Sequence, residues 1–111
     1  MTPNKAIEIV DSLRPNPYSE EDKLRWINEL DGMVQRLVIQ SDDIKQYSYP
    51  EDMDTELLIQ APFENVYTLF LEAKIDYHNR EYGNYNNSAM MFESQFSEYK
   101  KAYIREHKAK G

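Results

Sequence analysis

The chain contains no cysteine, so neither a disulfide nor a thiol nucleophile is open to it. That is compatible with a reducing compartment. Glycine is scarce, and its three residues are isolated, which excludes a glycine-rich phosphate loop. No apolar run approaches the roughly 18 residues needed to cross a bilayer. The N-terminal Met1-Thr2-Pro3-Asn4-Lys5 lacks the pattern of a secretory signal. The expectation is a soluble chain made in the cytoplasm, with no membrane contact. Positive charge is also in short supply: the net charge is −7. The body of the chain has no cluster of Lys and Arg of the kind phosphate binding requires, which argues against sequence-specific nucleic-acid recognition. The one basic stretch runs from Lys100 to Lys110 and carries Lys100, Lys101, Arg105, Lys108 and Lys110 against a single acid, Glu106. Cations there suit the C-terminal end of a helix dipole; a docking tail for an acidic surface is the competing reading.

Recognisable chemistry is missing too. Of the two histidines, His78 and His107, neither has a glutamate three residues before it, because Ile75 and Ile104 stand there. The Glu-x-x-His pattern of a di-metal carboxylate bundle is therefore absent. Asp42-Asp43 and Glu51-Asp52-Met53-Asp54 lack the alternating ligands and central glycine of a calcium loop. No serine has a histidine base in a recognisable arrangement. The expectation is a non-enzyme with no catalytic residue, no cofactor and no metal.

A length of 111 residues fits one domain over 1–111. Hydrophobic residues make up 41% and aromatics 13%, so a modest core must take much of its volume from rings. Thr2 followed by Pro3 reads as a cap and first helical position. Ala6, Ile9, Val10 and Leu13 then recur at helical spacing, and Pro15-Asn16-Pro17 ends that helix. Ser19 caps a second helix whose first turn is acidic. Leu24, Ile27, Leu30, Val34 and Leu37 form its stripe, widened by Trp26, Met33 and Val38. Gly32 inside this helix implies a close helix crossing or a local bend. From Ser41 to Ala61 the periodicity disappears, leaving a long acidic loop, about 42–61, with Tyr47 and Tyr49. Near its end Glu56–Gln60 forms a short extended run, a lone strand or a strap over the helices. Pro62 reads as the start of a third helix with two apolar faces: Phe63, Val66, Tyr67, Phe70, Ala73 and Tyr77 on one, Leu71, Ile75 and Tyr82 on the other. Gly83 reads as a helix stop. Asn86 or Asn87 then caps a fourth helix with the stripe Ala89, Phe92, Phe96, Tyr99 and Tyr103. The expected fold is all-α, a small four-helix bundle, with the third and fourth helices folding back on one another.

The segment from Ala73 to Ser88 is the most informative. Tyr77, Tyr82 and Tyr85 alternate there with Asn79, Asn84, Asn86 and Asn87. Tyrosine pairs a large apolar ring with a polar tip and suits surfaces buried only when another molecule arrives. Tyr77, Tyr82, Tyr85, Tyr47 and Tyr49 are the candidate partner contacts. The competing reading is that two or three of them pack in the core, and for Tyr77 that reading is favoured.

Arg25-Trp26-Ile27-Asn28-Glu29-Leu30-Asp31-Gly32 resembles a second-helix signature of small virion proteins encoded beside portal and capsid genes in tailed phages and prophages of Gram-positive bacteria. Asp54-Thr55-Glu56-Leu57-Leu58-Ile59, Ala61-Pro62-Phe63, Tyr67, Ile75-Asp76-Tyr77, Asn79, Glu81-Tyr82 and Tyr85-Asn86-Asn87-Ser88 resemble the same group. The resemblance covers most of the chain, from the proline-rich turn to the region of Phe92. It implies a head–tail connector, also called an adaptor or head-completion protein: a structural subunit that forms a homo-oligomeric ring below the portal and joins capsid to tail. The implied partners are other copies of the chain and neighbouring virion proteins such as the portal or a tail-completion protein. The implied location is the host cytoplasm during assembly and then the virion. Tyr77-His78-Asn79-Arg80-Glu81 weakly resembles a helix of the better-known connectors, whose pattern the loop between the second and third helices does not follow. As a connector the chain should keep residues 42–56 disordered until assembly. The alternative is a monomeric helical adaptor or regulator encoded by a phage or prophage.

Overall fold

Two short helices, α1 (Pro3–Leu13) and α2 (Glu20–Met33), precede a helical hairpin made of α3 (Asn65–His78) and α4 (Tyr82–Lys108). The structure, a computed structural model, describes residues 1–108, with Lys108 described by its backbone alone. Lys110 of the basic stretch lies outside the described residues. No strand occurs among them, and the fold is a small all-helical bundle.

The caps read from the sequence form. Thr2 Oγ1 accepts from the Lys5 N–H at 3.2 Å and Ser19 Oγ from the Asp22 N–H at 3.1 Å, each satisfying a donor that the first helical turn leaves unpaired. Ala6, Ile7, Val10, Leu24, Ile27, Leu30 and Val34 face the core, where they meet Val66, Tyr67, Leu71 and Ile75 of α3 and Phe92, Phe96 and Tyr99 of α4.

Three features of α2 depart from expectation. Its helix widens at Val34–Ile39 into a π-helical extension. A wider turn moves later residues off the original stripe, so Val34 is buried while Leu37 is 64% exposed. Gly32 marks no close crossing, since a Cβ there would meet nothing within 4 Å. Lastly, the segment after α2 is anchored rather than disordered. Asn28 Oδ1 accepts from the Tyr47 N–H at 2.7 Å, and its amide donates to the Tyr47 carbonyl at 3.0 Å. Gln35 does the same for Lys45, at 2.8 and 2.9 Å. Two side-chain amides on one face of a helix thus hold alternate residues of an extended segment by both backbone groups.

The run at Glu56–Gln60 is a strap, not a strand. Leu57 and Ile59 are buried in the core, and Met53 joins them. The start of α1 ties it down: the Asn4 N–H donates to the Met53 carbonyl at 3.0 Å, the Leu57 N–H to the Met1 carbonyl at 2.9 Å, and the Met1 ammonium pairs with Glu64 and, at 2.8 Å, with Glu56. Those two carboxylates raise the pKa of the ammonium.

The third helix starts at Asn65 rather than Pro62, because turns come first: Phe63 N–H bonds the Gln60 carbonyl and Val66 N–H the Phe63 carbonyl. It ends at His78, not at Gly83. Arg80 adopts φ 60°, with the Arg80 N–H on the Tyr77 carbonyl and the Glu81 N–H on the Asp76 carbonyl, which is the Schellman arrangement. Arginine therefore occupies the left-handed position that glycine usually takes. Gly83, Asn86 and Asn87 lie inside α4, so neither asparagine caps it. The fold-back expected around Gly83 does occur, two or three residues earlier. Ser88 Oγ donates to Asp76 Oδ2 at 2.7 Å across the hairpin, and Arg14 Nε of the α1–α2 connection donates to Asp76 Oδ1 at 3.1 Å. Asp76, fully buried, joins three elements.

Candidate interaction surface

Among the described residues no group of three or more His, Asp or Glu is placed to hold a metal ion. Two polar constellations, one around Asp31 and the other the Asp76 junction that holds Ser88 and Arg14, and one exposed aromatic cluster stand out instead.

The first constellation is centred on Asp31, which is 1% exposed and has no cation beside it. Its Oδ1 accepts from the Tyr67 hydroxyl at 2.6 Å. Its Oδ2 accepts from the Tyr47 hydroxyl at 2.5 Å and from the Leu58 N–H at 3.3 Å. The Tyr67 hydroxyl in turn accepts from the Ile59 N–H at 2.8 Å. One carboxylate so links α2 to the loop, the strap and α3. Burial raises the Asp31 carboxyl above the ordinary carboxylate range, opposed by the hydrogen bonds from Tyr47 and Tyr67. Burial also raises both phenols, with Asp31 adding to the effect, so they remain donors. Every polar group in the cluster has its partner, as a buried network requires. The geometry is that of a structural hub. Sequence reasoning missed it, although Asn28, Asp31 and Gln35 at helical spacing inside an apolar stripe were its signal.

The hub also decides the fate of Tyr47. Its hydroxyl turns inward to Asp31, while the residue itself is only partly buried. Tyr49 is 42% exposed and lines a shallow groove of about 380 Å³ together with Tyr47, Glu21, Arg25, Asn28 and Glu29.

Tyr77, Tyr82 and Tyr85 do come together, at the closed end of the hairpin. Tyr77 lies 5.4 Å from Tyr85 and 6.3 Å from Tyr82, edge to face in both cases. The favoured core reading of Tyr77 is overturned: it is 52% exposed, and Tyr82 is 55% exposed. The physical reason is its place in the last turn of α3, where it meets the first turn of α4 rather than the core. His78 next to it stacks on Trp26 with ring centroids 5.3 Å apart. Below the tyrosines a groove of about 420 Å³ runs between the helices, lined by Phe70, Ala73, Tyr77, Tyr85, Ala89 and Phe92, with Lys74 and Glu93 at its rim.

No family model matches this chain, and neither a curated protein nor a solved structure matches it significantly.

No helix among the described residues is long and apolar enough to cross a membrane. What the surface offers chemically is exposed amphipathic ring area beside asparagine amides.

Proposed function

We propose that this chain is a structural protein of a tailed-phage virion, a head–tail connector that oligomerises below the portal and joins capsid to tail, with no catalytic role. The observation that carries the reading is the exposed cluster of Tyr77, Tyr82 and Tyr85 at the end of the α3–α4 hairpin. It supplies large apolar rings on a scaffold pinned by Asp76, without a pocket of convergent reactive groups. It lies within the part of the sequence that resembles such connectors. A connector has to present surfaces to several neighbours, and the hairpin tip and the Tyr49 groove, bridged by the Lys74–Glu29 ion pair at 2.8 Å, each offer one. The acidic balance of the chain, −7, suits a subunit beside a DNA channel, since it does not adhere to phosphate.

The test is light scattering coupled to size exclusion over a wide concentration range, with and without the purified portal protein of the same phage. Ring-sized masses or a stable portal complex, weakened at least tenfold by Tyr82→Ala with Tyr85→Ala, are the expected outcome. A strict monomer that ignores the portal would end the connector reading and leave a monomeric phage-encoded adaptor in its place.

A further inference from the structure

Charged residues make up 30% of the chain, yet from Tyr82 to Ser97 Glu93 is the only one. This stretch is not a buried helix. Met90 is 72% exposed and Met91 51%. On the flank of the hairpin opposite the tyrosine groove lies a second groove of about 430 Å³, lined by Asn65, Thr68, Leu69, Asn87, Met90, Met91, Ser94 and Gln95. None of these carries a charge. Depletion of charge, with methionine at the centre and amides and hydroxyls around it, distinguishes an interface core from ordinary protein surface.

The flanks of this groove indicate what sits on it. Toward its C-terminal end α4 carries Lys100, Lys101 and Arg105, all exposed, against Glu98 and Glu106, with Lys101 3.7 Å from Glu98. An occupant lying along α4 meets a neutral surface first, then Glu98, and then a stretch with a small excess of positive charge. The chain itself has the matching acidic feature: Asp42, Asp43, Glu51 and Asp54 are exposed and, among the described residues, engaged in no ion pair. Within that segment Lys45 and Tyr47 are held to α2 by Gln35 and Asn28. Two chains of charge −7 repel one another over most of their surfaces. A neutral groove ending in a stretch with a small excess of positive charge is where a second copy can approach at least cost.

We infer that the groove of Leu69, Met90 and Met91 receives a second copy of this chain, oriented so that its acidic segment at 42–54 meets Lys101 and Arg105. The contact uses different surfaces on the two copies, so it is head-to-tail and closes into a ring or extends as a filament. The inference rests on the connector reading and specifies the subunit contact within it.

The experiment measures mass by light scattering for four proteins: the wild type, Met90→Glu, Lys101→Glu with Arg105→Glu, and the latter combined with Asp42→Lys and Asp43→Lys. All the altered side chains are exposed, and circular dichroism checks that each variant folds. The wild type should associate. Met90→Glu and the double charge reversal should each weaken association at least tenfold, and the added lysines should restore it. Association of the wild type that none of these changes alters would overturn the assigned surface while sparing the connector reading. A wild type that binds the portal but shows no self-association, free or on the portal, would overturn the head-to-tail contact alone. A wild type that does neither ends both.

Discussion

Asp31 shows how much one residue can hold. Removing its side chain leaves the Tyr47 and Tyr67 hydroxyls and the Leu58 N–H without their acceptor. Asp31→Ala should therefore cost about 3 kcal/mol of unfolding free energy, since each orphaned buried group costs roughly 1–3 kcal/mol. Asp31→Asn gives a sharper test, because it separates charge from shape. The carboxyl is raised by burial in the folded chain, so the folded state binds its proton more tightly than the unfolded state. Its contribution is fully present below the unfolded value of about 3.9 and is lost as pH rises through the raised folded value. The stability gap between wild type and Asp31→Asn should accordingly narrow as pH rises from about 4 through the raised folded value, read by urea unfolding at each pH. A gap independent of pH would mean that the carboxyl titrates alike in both states. At the other polar junction Asp76 has Arg14 beside it, at 3.1 Å; Asp31 lacks any such cation, and its charge is held by hydrogen bonds alone.

At the scale of elements, the capped starts at Thr2 and Ser19 and the stop before Pro15 are legible in the sequence, whereas the starts of α3 and α4 and the end of α3 are not. Thr2, Ser19 and their following residues act locally, through hydrogen bonds to N–H groups three positions on, so sequence alone exposes them. Glycine is the natural left-handed residue and Gly83 the expected stop of α3, whereas Arg80 holds that conformation at φ 60°. The Schellman bonds and the pull of the hairpin outweigh its Cβ cost. Arg80→Gly should raise stability by about 1 kcal/mol, with the hairpin unchanged. Gly32→Ala should do the same by about 1 kcal/mol, as the space around that position is open. Thermal unfolding checks both, and destabilisation by Gly32→Ala would show that the turn before the π-helical extension needs glycine. The strap at Glu56–Gln60 was legible as extended but not as buried, since Leu57 and Ile59 have no periodic partner in sequence and find theirs in other helices.

For the whole molecule, the dominant fact is the imbalance of 20 acids against 13 Lys and Arg. Charge of one sign in a small volume opposes compactness. Several ion pairs lie on the exposed surface, Lys5–Glu8 and Lys101–Glu98 among them, where they contribute little. Raising salt from about 10 to about 150 mM, which shortens the screening length from roughly 30 to 8 Å, should therefore raise the urea midpoint of the monomer. A falling midpoint would mean that the ion pairs tying α1 to the strap and α3 outweigh the general repulsion. Of the five tyrosines expected to face a partner, Tyr77, Tyr82 and Tyr85 form one patch, and Tyr47 and Tyr49 line another groove, with the Tyr47 hydroxyl turned inward to Asp31. Pattern reading picked out the residue type that builds interfaces but had no means of saying which rings point outward.

Composition and periodicity by themselves determined that the chain is helical, that four helices form, that two begin at Thr2 and Ser19, and that residues 42–61 are not helical. Each of these depends on interactions within a few residues. Only the tertiary structure decided that Asp31 and Asp76 are buried, that Asn28 and Gln35 clasp the loop, and that Leu37 and Tyr77 face outward. It alone places Leu69 beside Met90 and Met91 in an uncharged groove. The reason is physical: a side chain's environment is set by whatever the chain brings next to it from far away in sequence, and neither helical spacing nor hydropathy carries that information.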